Sequence, residues 1–145
     1  MLRLHPFLSE SYHQLPLKRM RTEHLCLQLQ INGFSGRFLV DSGASKSCVS
    51  FQLQEAFQLT TNAPAIAAAG AGKDKLHAQP TKASNIQFKQ IPLGRLSFLL
   101  LDMEAINATL MEEGEQPIDG ILGADFLRKK SAVITYKPNR LYLKK

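Results

Sequence analysis

Short stretches in which apolar and polar residues alternate, separated by turn residues, run through most of this chain. The clearest begins at Leu25, where leucine or isoleucine stands at positions 25, 27, 29 and 31 with cysteine or glutamine between them. A period of two is typical of a β-strand with one buried face. Asn32-Gly33 follows, and this pair is a strong signal for a two-residue hairpin turn. The pattern therefore predicts a hairpin whose second strand, residues 37–40, ends at Asp41.

The rest of the chain continues the pattern of short strands. We expect further strands at 47–50, within 85–102, at 132–136 and at 141–143, a glycine-tipped hairpin around 70–74, and short helical segments at 51–57, 103–113 and 124–130. Residues 1–24 carry two prolines and no sustained period, which predicts an irregular arm with room for one short strand. The predicted fold is all-β, a closed or partly open barrel with one or two short helices, in one domain over residues 25–145.

Composition narrows the class of protein. With 145 residues, 44% of them hydrophobic and 21% charged, the chain has the make-up of one ordinary globular domain and no room for a second lobe. The net charge of +6 is a reason to consider nucleic acid as a partner. The basic residues are dispersed along the sequence, however, and no aromatic residues are interleaved with them, so we expect solvated side chains and no nucleic acid. A basic β-barrel that binds nucleic acid is kept as an alternative.

Sequence features also bear on location, thiols and metals. No apolar stretch approaches the ~20 residues of a membrane span, and the N-terminal residues lack the apolar core of a secretion signal. We therefore expect a cytoplasmic or otherwise soluble protein with no membrane segment. Cys26 and Cys48 lie in strand-like surroundings and are expected to be buried free thiols. The four histidines show no metal-ligand spacing, so no metal or cofactor is expected.

The candidate chemistry lies in the segment Asp41-Ser42-Gly43-Ala44, directly after the apolar run 38–40. A carboxylate held at the end of a strand by a tight loop needs a small hydroxyl residue and a glycine beside it, so that backbone amides and a neighbouring chain can come close. Later in the chain, a second apolar pair and glycine, Ile121-Leu122-Gly123, lead into a short amphipathic stretch. The two motifs together indicate two parts of one site.

These motifs resemble those of the retropepsin-like aspartic proteases, the family of the retroviral proteases and their single-domain relatives. The matching segments are residues 38–45, the hairpin at 70–74, and 118–127 with the paired strands that follow. The resemblance covers about residues 25–143 and implies the acid-protease fold and an aspartic endopeptidase acting on peptides or proteins. Such an enzyme needs two carboxylates that share a proton, and the chain has a single Asp-Ser-Gly. The resemblance therefore also implies a homodimer.

Carried over position by position, the resemblance makes Asp41 the catalytic carboxylate. Ser42 would lock the two Asp loops together across the dimer, Gly43 would offer its amide to the carboxylate, and Ala44 would complete the loop. Ser45 stands where retroviral enzymes carry a second aspartate that holds the substrate backbone. This departure keeps open the alternative of a catalytically weak or inactive dimer that binds peptides.

The remaining matches imply supporting roles. Gly70, Ala71 and Gly72 would form the flap that closes on a bound peptide. Ile121, Leu122 and Gly123 would pack beneath the catalytic loop, and the strand 141–143, which would otherwise leave an exposed edge, would join an intersubunit sheet.

Asp119 and Asp125 flank the second glycine motif and are rival candidates for a partner carboxylate. In the family pattern this motif buttresses the site, so we expect Asp125 to begin or solvate the short helix instead.

Overall fold

The structure, a computed structural model, describes residues 10–61, 66–67 and 77–145, and these residues form mainly short strands. The helical elements are a 3₁₀ turn at Phe51–Leu53, α1 at Glu104–Glu112 and α2 at Ala124–Lys129. The strands are β1 (Tyr12–Pro16), β2 (Lys18–Arg19), β3 (Leu25–Ile31), β4 (Phe34–Val40), β5 (Cys48–Ser50), β6 (Ile66–Ala67), β7 (His77–Pro80), β8 (Ser84–Phe88), β9 (Ile91–Leu96), β10 (Leu99–Leu101), β11 (Gly120–Leu122), β12 (Val133–Tyr136) and β13 (Asn139–Lys144). The predicted all-β fold with short helices is confirmed. None of the described helices has the length and apolar content needed to cross a membrane.

The predicted hairpin before Asp41 is present as β3 and β4. The two strands pair antiparallel from Leu25 opposite Val40 to Ile31 opposite Phe34. Asn32 and Gly33 connect them with φ angles of 51° and 86°, the left-handed conformation that a type I′ turn requires. The hairpin thus delivers Asp41 to the end of β4.

The glycine-tipped hairpin is described only in part. Its arms are β6 and β7, which pair antiparallel with Ile66 opposite Ala78. The predicted flap residues Gly70, Ala71 and Gly72 lie outside the described residues.

The main sheet is curled into a half-barrel with the strand order β6-β7-β10-β5-β11-β4-β3-β8-β9, and β2 pairs with β3. Strand β11 lies between β4 and β5, parallel to β4 and antiparallel to β5. The chain that leaves β4 at Val40 must therefore cross over the end of β11 before it enters β5 at Cys48. This crossing, residues 41–47, is the segment that carries Asp-Ser-Gly.

At the end of the main sheet nearest the Asp41 loop, the central strands are buried on both faces. On one face, Cys26, Leu39, Ile121 and Cys48 lie in register across β3, β4, β11 and β5 and belong to a small core beneath α1. The other face packs against the main core. Because three strand spacings separate the two cysteines by roughly 14 Å, they cannot form a disulfide. Both are buried free thiols, as predicted.

Part of the N-terminal arm is ordered into strands. β1 pairs with β13 and β2 pairs with β3, where the sequence predicted an irregular arm with room for one short strand. Leu15 and Leu17 are buried in the main core, and their burial explains why this segment is held against the sheets. The division of the chain at residue 25 stays a prediction.

A second, three-stranded sheet has the order β1-β13-β12. Strand β13 is central, and Leu141, Tyr142 and Leu143 are each at most 2% exposed. The expectation that these residues would leave an exposed edge is wrong, because β1 and β12 of the same chain occupy both edges of β13. The edges of this sheet that have no described partner strand belong to β1 and β12.

A nearly buried ion pair ties the segment before β11 to β4. Arg37 Nη2 lies 2.9 Å from Glu115 Oε1, and the two side chains are only 12% and 10% exposed. Glu115 also accepts hydrogen bonds from the backbone amides of Arg21 at 2.6 Å and Gln116 at 3.1 Å. The Arg21 amide, the Arg37 guanidinium and the Gln116 amide together lower the pKa of Glu115 from 4.5 to about 2.

This pKa predicts a specific dependence of stability on pH. Because the folded-state pKa lies below the unfolded value, ionised Glu115 stabilises the fold above about pH 4.5, and this stabilisation is lost as the pH falls toward about 2. Glu115→Gln should therefore be less stable than wild type at neutral pH. Its free energy of unfolding should also change less than that of wild type between these two pH values. Urea unfolding at several pH values measures this, with Glu113→Gln on the exposed end of the same segment as the control. If the free energy of unfolding changes with pH equally in wild type and Glu115→Gln, ionised Glu115 does not stabilise the fold.

Candidate active site

Asp41 is held at the end of β4 by backbone contacts. Its amide donates to the carbonyl of Leu122 at 3.0 Å, which fixes it beside the end of β11. The Gly43 amide donates to Asp41 Oδ1 at 2.9 Å, and the Ala44 amide donates to the Asp41 carbonyl at 3.2 Å. A side chain at position 43 would bring its Cβ within 3.2 Å of Asp41 Oδ1, so glycine permits this close turn.

The loop presents its polar groups to solvent. Asp41 is half-buried, whereas Ser42, Gly43 and Ser45 are exposed. Among the described residues, the hydroxyl of Ser42 has no hydrogen-bond partner. The carboxylate is therefore fixed by its own turn yet remains open to a ligand or a second chain.

Gly123 lies directly beneath the loop where it crosses β11. A Cβ at this position would lie 2.7 Å from the carbonyl oxygen of Ala44 and 2.9 Å from the carbonyl group of Lys46. The next residue, Ala124, donates its amide to the Ala44 carbonyl at 2.7 Å. The predicted support residues 121–123 therefore contact the loop through backbone atoms, with Ile121 and Leu122 paired to Leu39 and Val40 of β4.

A buried serine and an aspartate clamp the end of the loop to α2. Asp125 Oδ1 accepts hydrogen bonds from the Ser47 hydroxyl at 2.7 Å, the Ser47 amide at 3.0 Å and the Phe126 amide at 2.8 Å. The Ser47 hydroxyl in turn accepts from the amide of Gly123 at 2.9 Å. Sequence reasoning did not identify Ser47, because nothing in the local pattern shows a partner that lies 78 residues away.

Removing the hydroxyl of Ser47 should destabilise the protein. Ser47→Ala leaves the buried Gly123 amide without its acceptor, which costs about 1–3 kcal/mol for a buried polar group. The measurement is the free energy of unfolding in urea. Ser45→Ala is the matched control, since Ser45 is exposed and should change stability by less than about 0.5 kcal/mol. Equal effects of the two substitutions would contradict the clamp.

The two rival carboxylates are engaged elsewhere. Asp119 Oδ2 accepts the amide of Arg37 at 2.7 Å, and the Asp119 amide donates to the Arg37 carbonyl at 2.8 Å. Asp125 lies in the first turn of α2 and is bound by the three donors described above. Neither residue lines the cavity that contains Asp41. Both carboxylates thus have structural contacts.

Ser42 lines two cavities. The first, of about 200 Å³, contains Asp41 and is also lined by Val40, Ile134 and Tyr136, with Glu23 and His24. The second, of about 250 Å³, is lined by Ala124, Leu127, Arg128, Ser131 and Ala132. Sequence reasoning did not connect these residues with the site, because they come from segments far apart in the chain.

Other reactive groups near the loop do not suggest a different chemistry. Burial raises the pKa of the Cys48 thiol to about 12, and the nearby charges of Asp125 and Asp41 act in the same direction. This thiol stays protonated and is a poor nucleophile. Among the side chains that the structure describes, no three His, Cys, Asp or Glu residues are grouped so that they could hold a metal ion.

Comparison with known proteins identifies the family. Residues 27–126 match the sequence profile described as aspartyl protease, and this match covers more than half of the chain. The chain therefore belongs to the aspartyl protease family. Among curated proteins, none matches the chain.

Solved structures agree with this assignment. A retropepsin-like aspartic protease from Rickettsia conorii matches with a TM-score of 0.61 at 15% identity, covering 91% of this chain and 90% of that one. The retroviral protease-like domain of Ddi1 from Leishmania major matches with a TM-score of 0.60 at 18% identity, covering 83% and 87%. EIAV protease complexed with the inhibitor HBY-793 matches with a TM-score of 0.50 at 18% identity, covering 76% and 90%. At these identities the likeness shows the fold, and the predicted retropepsin-like fold is confirmed.

Proposed function

We propose that the protein is a homodimeric aspartic endopeptidase in which Asp41 of each chain flanks one water molecule. The observation that carries this proposal is the geometry of the Asp41 loop. The loop crosses the end of β11 and is supported there by backbone contacts. It turns toward the surface one carboxylate and the hydroxyl of Ser42, which has no hydrogen-bond partner among the described residues. One chain supplies half of a two-carboxylate site, so the other half comes from a second copy.

The proposed mechanism follows from two carboxylates held a few ångströms apart. Ionising both carboxylates would place two negative charges close together at a high cost in free energy, so the pair keeps one proton. The charged carboxylate takes a proton from the water as the water attacks the carbonyl carbon of the scissile peptide bond. The protonated carboxylate donates a hydrogen bond to the carbonyl oxygen. As the C–N bond breaks, the carboxyl group that took the proton from water passes it to the leaving amine. The amide of Gly43 orients the Asp41 carboxylate through its hydrogen bond to Oδ1.

The substrate is proposed to be a peptide or protein in extended conformation. Family membership supports this class of substrate. Gly70, Ala71 and Gly72 are proposed to cover it, and Ser45 is proposed to lie beside it.

A second candidate function keeps the dimer but not the turnover. Ser45 is exposed and has no side-chain hydrogen bond among the described residues, and by resemblance it replaces an aspartate that holds the substrate backbone. A dimer without this contact to the substrate backbone would bind peptides and cleave them slowly or not at all.

The test that separates the two functions is cleavage of a denatured protein mixture, analysed by mass spectrometry of the products. The proposed endopeptidase cleaves it, and Asp41→Asn does not. A wild-type dimer that binds the denatured chains without new termini appearing would favour the second function. Cleavage by a strict monomer, with activity per chain independent of concentration, would contradict the shared site.

A further inference from the structure

Strand β3 lies inside the main sheet, yet a short stretch of it has no neighbouring strand on one side. Strand β4 pairs with β3 over its whole length, from Leu25 to Ile31. On the other side of β3, strand β2 pairs only with residues 25–26 and β8 only with residues 30–31. No described strand pairs with residues 27–29 on that side, which leaves a gap between β2 and β8.

The backbone of Gln28 points into this gap. In an antiparallel pair, residues whose N–H and C=O bond to the partner strand alternate with residues whose groups point away from it. Ile31 and Phe34 close the two-residue turn and form a bonded pair, so every second residue back from Ile31 also bonds to β4. Gln28 lies between two such residues and directs both its N–H and its C=O to the opposite side. The described part of the chain supplies no backbone partner for them there.

A cavity of about 330 Å³ lies in the gap and combines apolar and positively charged groups. Lys18 and Lys89, both exposed, belong to its lining, and the described residues that line it include no acidic side chain. Neither lysine forms an ion pair with any described residue. The apolar part of the lining consists of Pro16, Leu17, Leu27 and Phe88. The cavity therefore offers one backbone donor, one backbone acceptor, apolar contacts and two positive charges.

We propose that this cavity, which we call the Gln28 gap, binds the free C-terminus of a peptide or protein. The last residue of such a chain has one N–H to donate to the Gln28 carbonyl and a carboxylate to accept the Gln28 N–H. Its carboxylate also carries the negative charge that Lys18 and Lys89 complement. This inference does not depend on the proposed function, because the Gln28 gap shares no residue with the two cavities that Ser42 lines, apart from the strand neighbours of β3.

The length of the gap favours a chain end over a continuous strand. The residues of β3 that pair with β2 and β8 on either side of the gap, Cys26 and Gln30, are four positions or about 14 Å apart. A longer strand paired with β3 here would run into β2 or β8, whereas a chain end can enter from one side. The apolar lining favours an apolar side chain near the end of the bound peptide.

NMR titration of the wild-type protein tests the Gln28 gap. The probe is the peptide N-acetyl-Ala-Ala-Leu, used as the free acid and as the C-terminal amide. The free acid is expected to shift the backbone amide signals of Gln28 and its neighbours in β3. The amide form has nearly the same shape but no charge, and it should bind about tenfold more weakly, because a neutral acceptor makes a weaker hydrogen bond and does not attract the lysines.

Substituting the two lysines tests the charge. The double variant Lys18→Gln with Lys89→Gln should bind the free acid about 2–30-fold more weakly than wild type, the range for two exposed ionic contacts, and bind the amide form equally well. Lys82→Gln with Lys144→Gln is the matched control. Both of these lysines are exposed and neither lines the gap, so the control loses the same two charges and should bind the free acid as wild type does.

Three results would overturn the proposal. If the acid and the amide bind equally well, the carboxylate is not what the gap recognises. If the shifts are confined to residues 41–45, the peptide binds at the Asp41 loop and not in the Gln28 gap. If acetate at the same concentration shifts the Gln28 signal as strongly as the peptide does, the gap takes any small carboxylate, and the assignment to the end of a peptide is wrong.

Discussion

Replacing Asp41 by asparagine is expected to lower the rate of peptide hydrolysis by about 10²–10⁴-fold, the range for loss of a general acid or base. Asparagine has nearly the same shape as aspartate, and its oxygen can still accept the hydrogen bond of 2.9 Å from the Gly43 amide. It cannot take a proton from water. The measurement is kcat/KM for wild type and Asp41→Asn on the same peptide, together with the free energy of unfolding.

The matched control for this substitution is Asp119→Asn. Asp119 is the same residue type, but its carboxylate is bound to the backbone of Arg37 and does not line the cavity with Asp41. We expect it to retain activity. If Asp41→Asn keeps most of the wild-type rate, another carboxylate carries the chemistry, and Asp119 and Asp125 are the next residues to test.

Substituting Gly123 by alanine is expected to damage both stability and activity. Gly123 has φ of −100°, a conformation open to any residue, so the problem is purely steric. Its Cβ would lie 2.7 Å and 2.9 Å from backbone atoms of Ala44 and Lys46, and backbone cannot move aside as a side chain can. Overpacking of this kind costs about 1–3 kcal/mol. A displacement of the Asp41 loop by about 1 Å would lower kcat/KM by about 10²-fold.

Gly36→Ala is the control for Gly123→Ala. At position 36 the two nearest atoms, at 2.7 Å and 3.1 Å, are the ring ends of Phe57 and Phe38, which can shift. We expect Gly36→Ala to lower stability and to leave kcat/KM near that of wild type. A Gly123→Ala protein with wild-type stability and activity would show that the loop does not rest on this glycine.

Local sequence signals predicted the parts of the fold that depend on neighbouring residues. The alternation from Leu25 and the Asn32-Gly33 turn predicted the hairpin that ends at Asp41, because strand period and turn chemistry are properties of the local chain. The short helix predicted at 124–130 is present at Ala124–Lys129 for the same reason.

Contacts between distant segments could not be read from the sequence. The insertion of β11 between β4 and β5 makes the Asp41 loop cross Gly123, and no local pattern encodes that strand order. The clamp between Ser47 and Asp125 depends on the same crossing. The edge predicted for residues 141–143 was wrong, because it depends on whether β1 of the same chain pairs with β13.

The central claim, that one site is shared by two chains, is tested most directly by mixed dimers. Wild type and Asp41→Asn are unfolded together in equal amounts, refolded and assayed at a fixed total concentration. If each site needs Asp41 from both chains, random pairing makes about one quarter of the dimers wild type in both chains. The equal mixture should then show about one quarter of the activity of wild type alone at the same total protein concentration. Across other mixing ratios the activity should follow the square of the wild-type fraction. A linear dependence, with half of the activity at the equal mixture, would contradict the shared site.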